Sequence, residues 1–197
     1  ASNTSSLDIF AIAGDVTRRD RLIAAHWFTP PQIIPLVEIA PGPETSSQTV
    51  AFTSDLMQRI GKRPVVMKAF APSFIVNPIQ QYIGLAAIEI ISKGWATPED
   101  IDLAVKTSLG IRLPIVGVLQ TFDFTGLDVV AHVLKSSLGQ VPSFIADRVE
   151  KGEFGAKTSK GIYYYGGRTE EEILEKRDRM YMAMLAQLKK MSAFDPV

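Results

Sequence analysis

An α/β segment of short strands and helices, followed by an all-α segment, is the fold class this sequence predicts, with the change of texture at about residue 71. Three observations carry that reading. Before Ala71, short apolar runs of strand length alternate with helical stretches, and such strand–helix–strand rhythm marks an α/β sheet. After it, the apolar residues recur at helical spacing. Proline, glycine and capping residues punctuate most of the boundaries. The expected domains are therefore residues 1–71 and residues 72–197.

Leu7 to Ala13 reads as a brief helix and Arg18 to Arg21 as a charged turn. Leu22-Ile23-Ala24-Ala25-His26-Trp27-Phe28 is an apolar run suited to a buried strand. Thr29-Pro30-Pro31 ends it, because proline cannot donate to a ladder. Leu36-Val37-Glu38-Ile39 is a second strand, closed by Pro41-Gly42-Pro43. Thr45 and Ser46 can cap a helix reaching Ile60, with Gly61 as its stop. Pro64 to Met67 is a third strand. In the second segment, Ile79 to Lys93 is a long apolar helix. Thr97-Pro98-Glu99-Asp100 starts another, with a threonine cap and acids near the positive end. Gly126 to Leu138 and Phe144 to Lys151 are further helices. Thr169 to Glu172 is a capping box leading into a stripe from Ile173 to Met191.

Composition narrows the function. The chain has 197 residues, 46% apolar and 21% charged, within the range of globular domains. Basic and acidic residues balance at 21 each, so no electrostatic footprint for nucleic acid stands out. The absence of cysteine removes disulfides, thiolate metal sites and thiol nucleophiles, and no metal is expected. No apolar run approaches the ~18 residues of a membrane span, and no secretory leader is visible, so a cytoplasmic location is expected. Ala1 to Ser6 does not read as an ordinary start and looks like the middle of something longer.

Only two histidines occur. His132 lies in the helical pattern from Val129 to Leu134 and reads as a partly buried structural residue. His26 sits near a strand end, where α/β proteins build their sites. Such a histidine serves as a general base if a carboxylate orients its other nitrogen. Glu38 falls in an apolar frame in the next strand, where an unpaired carboxylate is costly. The two are natural partners, although a hydrogen-bonded structural histidine and a strand-edge glutamate fit the same spacing.

Several motifs in series resemble one family. Asn3-Thr4-Ser5-Ser6, His26-Trp27-Phe28-Thr29-Pro30, Leu36-Val37-Glu38 and Phe74-Ile75-Val76-Asn77 resemble segments of the 3-hydroxyacyl-CoA dehydrogenases. Pro98 to Asp102, Gly126-Leu127-Asp128, and Phe154 to Tyr163 follow in that family's order. The resemblance runs from Ser2 to Tyr165 and implies the last strands of a Rossmann-like NAD-binding domain, then a helical substrate-binding and dimerisation domain. It implies NAD-dependent oxidation of a 3-hydroxyacyl-CoA in fatty acid metabolism, with the chain pairing as a homodimer. His26 would be the general base and Glu38 its orienting partner. Ser5 would bond the reacting oxygen, and Asn77 would line the substrate cleft between the domains. Asn3 and Ser5 would face the cofactor. Without the resemblance, Ser5 reads as a turn residue and Asn77 as a helix cap.

The sequence also departs from that pattern. Thr29 stands where asparagine is usual, Ala69 to Ser73 replaces a shorter stretch ending in Pro-Gly, and Pro78 stands in place of a common arginine. Proline at 78 disfavours helical geometry at Asn77. Arg168 to Val197 extends past shorter members, and its stripe reads as packing or dimer surface. No Gly-x-Gly-x-x-Gly turn is present, so the chain is expected to lack most of the cofactor-binding front half and to be inactive alone. Gly152 to Thr158 has a faint phosphate-loop look but the wrong lysine spacing. Within this class the Pro30-Pro31 variant also resembles the lambda-crystallin and gulonate dehydrogenase branch, which implies a free hydroxy acid. From another class, the rival is a non-catalytic dimerising helical module.

Overall fold

The computed structural model describes residues 1–195, so the last two residues of the segment assigned to the helical domain lie outside the described residues. The chain divides into two compact units, Ala1–Lys93 and the remainder from Gly94. The division falls a full helix later than the change of texture at residue 71.

The first unit is built on a three-stranded sheet in the order β1-β2-β3: β1 Ile23–Trp27, β2 Leu36–Pro41 and β3 Arg63–Val66. β1 and β2 are antiparallel, while β2 and β3 run parallel with helix α2 (Ser47–Arg59) crossing between them. Ser46 caps α2 through its hydroxyl, as expected. Short helix α1 (Ile9–Ile12) is capped by Asp8, whose carboxylate accepts from Phe10 and Ala11 N–H. Residue 2 also pairs with β1: Ala25 N–H donates to Ser2 O at 2.8 Å, and Ser2 N–H to Ile23 O at 3.1 Å. This parallel bridge covers part of the outer edge of β1.

Strand periodicity separates the residues of the sheet into two faces. Ile23, Ala25, Val37 and Ile39 are buried against Met57 of α2. Ala24 and Ala40 turn the other way, onto Ile9 and Phe74. His26 and Glu38 share this second face by the same alternation, and the antiparallel register sets them directly opposite one another. The last helix of the unit, α3 (Val76–Ser92), starts three residues before the expected Ile79 and contains Pro78. Asn77 is therefore helical. Proline is tolerated there because the N–H groups of a first turn have no intrahelical acceptor.

The second unit is helical: α4 (Pro98–Thr107), α5 (Leu109–Thr125), α6 (Leu127–Leu138), α7 (Ser143–Glu150) and α8 (Glu170–Lys190). Both expected threonine caps form capping boxes, Thr97 with Asp100 and Thr169 with Glu172. The sequence pattern does not predict α5. Pro114 lies inside it, and Gly117 interrupts it with φ 66° and ψ −170°. No single described helix is long and apolar enough to cross a membrane, and α5 and α6 reach that length only together, across a 90° bend. Of the α8 stripe only Ile173 is buried, while Met180 and Met191 are exposed.

This unit closes around Asp123, which is fully buried. Its carboxylate accepts from Ile162 and Tyr163 N–H at 2.8 Å each and from the Tyr165 hydroxyl at 3.0 Å. Gly155 and Gly161 press against Asp123 so closely that a Cβ on either would overlap it. The segment from Phe154 to Tyr165 is thus a clasp on a buried carboxylate, which accounts for its glycines without any phosphate.

Candidate active site

The described geometry joins three of the expected residues in one line. Ser5 Oγ lies 3.0 Å from His26 Nε2, and His26 Nδ1 lies 2.9 Å from Glu38 Oε2. His26 is 3% exposed and Glu38 1%, so both are withdrawn from water at a strand pair that the register fixes. An ionised carboxylate only accepts, so Nδ1 carries the ring proton and Nε2 presents its lone pair toward the Ser5 hydroxyl. This is the tautomer a general base needs on the side facing Ser5.

Glu38 has a second set of partners. Its Oε1 accepts from Ile75 N–H and Val76 N–H, at 3.0 Å each. These are orphan donors at the start of α3, whose N-cap residue is Ile75 and has no side-chain cap. A carboxylate at the positive end of a helix is favourable, and charge-assisted bonds are about twice as strong as neutral ones. Three donors therefore compensate the burial of the Glu38 charge.

The imidazole is also enclosed by aromatic rings. Phe74 stacks on it with centroids 4.5 Å apart and planes 14° from parallel. Phe28 meets it edge-on, at 4.7 Å and 66°. Neither contact was anticipated, although Phe28 and Phe74 both lie within motifs singled out for other residues. The donors from Ile75 and Val76 were likewise missed, since no sequence rule couples a glutamate to a backbone 37 residues away.

The remaining candidates are placed as follows. Asn3 Oδ1 accepts from Trp27 N–H at 2.8 Å, holding the N-terminal segment against the end of β1. Asn77 is half-buried in the first turn of α3, and its side chain makes no hydrogen bond among the described residues. Thr29 is exposed. His132 is exposed on α6 rather than partly buried, because α6 turns Val130 inward and leaves the residue two positions on outside. An open hollow of about 360 Å³ lies beside the strand end, lined by Asn3, Trp27, Phe28, Thr29 and Pro31. A larger one of about 670 Å³, lined by Trp27, Phe52 and Met57 among others, sits on the α2 face and not beside His26.

Comparison with known proteins gives the family of the chain. Residues 1–70 match the NAD binding domain of 3-hydroxyacyl-CoA dehydrogenase, and residues 74–165 match that enzyme's C-terminal domain. The chain belongs to the 3-hydroxyacyl-CoA dehydrogenase family. The human mitochondrial hydroxyacyl-coenzyme A dehydrogenase is 36% identical over 173 residues, 84% of this chain and 54% of that protein. The 5-formyl-3-hydroxy-2-methylpyridine 4-carboxylate 5-dehydrogenase of Mesorhizobium japonicum is 30% identical over 93% of this chain and 62% of its own length. Among solved structures, a 3-hydroxyacyl-CoA dehydrogenase from Archaeoglobus fulgidus matches with a TM-score of 0.83 at 32% identity, covering 95% of this chain and 66% of that one. The chain thus spans about half to two thirds of the length of these family members.

Proposed function

We propose that this chain supplies the proton-transfer machinery of an NAD-dependent dehydrogenase that oxidises a 3-hydroxyacyl-CoA to the 3-oxoacyl-CoA. The observation that carries the reading is the unbroken line Ser5–His26–Glu38, buried at its base and open at Ser5. A substrate hydroxyl that takes its place beside Ser5 Oγ gives its proton to His26 Nε2. Ser5 orients that oxygen, and Glu38 stabilises the imidazolium that forms, as in other base–orienter pairs. NAD supplies the hydride acceptor for the carbon-bound hydrogen when it is bound. The hollow between Asn3, Trp27 and Phe28 fits its reacting end, since it adjoins Ser5 and His26 in sequence and offers an aromatic wall. The same residues offer no glycine turn for a pyrophosphate. We read β1, β2 and β3, with the bridge at Ser2, as the last strands of a dinucleotide-binding sheet, which the match over residues 1–70 supports.

Acetoacetyl-CoA reduction tests the proposal in a chimera that joins a relative's preceding residues ahead of Ala1. His26→Gln in that chimera should lower turnover by ~10²–10⁴ with little change in KM. Near-unchanged turnover would remove His26 from the mechanism.

One observation favours a second reading in the same class. The relative named for a pyridine carboxylate substrate, not a CoA ester, aligns over 93% of this chain. A free hydroxy acid is then the substrate, and activity on such acids but not on acetoacetyl-CoA would select it. We further propose that the chain pairs as a homodimer, because Tyr82, Leu85 and Ile88 of α3 are more than half exposed and no residue of α3 is buried. The buried, fully bonded His26–Glu38 pair speaks against a purely structural dimerising module.

A further inference from the structure

We infer that Phe74 is a positioning residue for His26, and that the left-handed turn at Ser73–Phe74 sets the plane of the imidazole and the aim of Glu38 together. The inference rests on the proposed role of His26 as base, yet its geometry stands on the unit Ala1–Lys93 alone.

Ser73 and Phe74 have φ of 65° and 61°. A bulky side chain rarely adopts this conformation, and such residues persist only where their surroundings over-determine them. Two consequences follow from the turn. The Phe74 ring lies nearly parallel to the imidazole, 14° off, and is itself 4% exposed. Behind it, Phe70 packs edge-on at 89°, and Phe10 packs on Phe70 at 70°, so the stacked ring is backed by a row of aromatics rather than left to rotate. The chain then leaves the turn with the N–H groups of Ile75 and Val76 directed at Glu38 Oε1. That holds Oε2 against His26 Nδ1 at 2.9 Å.

The arrangement separates two functions that a hydrogen bond alone would not. Glu38 selects which nitrogen bears the proton, but hydrogen bonds at Nδ1 and Nε2 still leave the ring free to tilt about the line that joins them. The Phe74 face removes the tilt and keeps Nε2 aimed at Ser5. Phe28 touches the ring only edge-on and follows directly after the last residue of β1, so it bounds the imidazole without fixing its plane.

The side-chain nitrogens of His26 report this directly by ¹⁵N–¹H correlation spectroscopy of the 197-residue chain at alkaline pH. His132→Gln, on the exposed face of α6, leaves His26 as the only histidine. In that background the two nitrogens should be widely separated, with Nδ1 protonated and Nε2 bare, and the ring protons should be shifted upfield by the stacked phenyl. Phe74→Leu should lose both signatures, and so should Phe74→Met, which fills the space with an unbranched chain. Phe74→Tyr should restore them, whereas Phe28→Leu should keep the tautomer. Averaged nitrogen shifts or no upfield displacement in the background chain would overturn the inference, whether or not the variants fold. So would a folded Phe74→Leu that keeps the two nitrogens widely separated, since the upfield displacement goes with the ring whatever its role. No substrate or cofactor enters the measurement, so a wrong substrate class leaves its outcome untouched.

Discussion

Glu38→Gln separates the two roles of this carboxylate, because glutamine keeps the shape and gives up the charge. One oxygen and one NH₂ must then satisfy three donors: His26 Nδ1–H, Ile75 N–H and Val76 N–H. If the amide oxygen keeps the two backbone groups, its NH₂ faces Nδ1. The ring proton must then move to Nε2, which puts the base in the wrong tautomer opposite Ser5. If the amide is turned round, its NH₂ confronts two N–H groups that have no other acceptor. Replacing charged bonds by neutral ones loses about 1 kcal/mol for each of the two backbone contacts, and relief of charge burial returns part of this. A net destabilisation of about 1–2 kcal/mol is expected for Glu38→Gln. Glu38→Ala leaves all three donors unmet in a site 1–3% exposed, so about 3–5 kcal/mol is expected there.

Urea unfolding of the 197-residue chain, followed by circular dichroism, gives the stability differences. Turnover of the chimera gives the rate, which should fall by ~10²–10⁴ in Glu38→Gln, as for loss of a correctly protonated base. Unchanged turnover in Glu38→Gln would refute the tautomer reasoning. Equal stability of the alanine and glutamine variants would refute the assignment of Glu38 as the cap of α3.

Four further outcomes follow from other parts of the molecule. Asp123→Ala leaves three donors of the clasp unpaired and should destabilise the helical unit by about 3 kcal/mol or more in the same urea assay. Burial holds the Tyr165 phenol above its ordinary value, so its contribution is whole below pH ~10 and is lost as the pH rises from there toward the folded value; Tyr165→Phe should flatten that alkaline decline. Calorimetry of the 197-residue chain with NADH should show no submillimolar affinity, since no Gly-x-Gly-x-x-Gly turn lies within it, and tight binding would place the cofactor site elsewhere. Sedimentation at micromolar concentration should show a dimer through α3, and a Leu85→Glu, Ile88→Glu double variant should dissociate it; a stable wild-type monomer would count against the pairing.

What could be read from sequence divides by the range of the interaction. The strands at residues 23–27 and 36–41 and the caps at Ser46, Thr97 and Thr169 were legible because their signals are local. The pairing of His26 with Glu38 was legible because an apolar strand does not carry an unpartnered carboxylate. The start of α3 was not legible, since its cap comes from Glu38 and its N-cap residue is an isoleucine. α5 was missed for a different reason: Pro114 and Gly117 are local signals, and they announce a break that tertiary packing spans. The clasp on Asp123 was seen as a glycine loop but not as a shell around a carboxylate, because nothing near Phe154 names a residue on α5.

The misplaced start of α3 and the missed rings on His26 have one cause, and it bears on how the site holds together. Ser73 and Phe74 occupy a backbone region that costs on the order of 1–3 kcal/mol per residue. Nothing in their own side chains favours it, so the turn depends on what it reaches: the imidazole on one side and the Glu38 oxygen on the other. The dependence runs both ways, because Glu38 without the Ile75 and Val76 N–H groups would be a buried charge with a single partner. Base, orienter, stacked ring and helix start therefore form one coupled set, whose members should not show additive effects when mutated. The strand register places His26 opposite Glu38 whatever the turn does, but it cannot choose the ring plane. That choice belongs to a segment 36 residues beyond the glutamate, which is why neither the apolar pattern of the strands nor the spacing of the candidate pair reveals it.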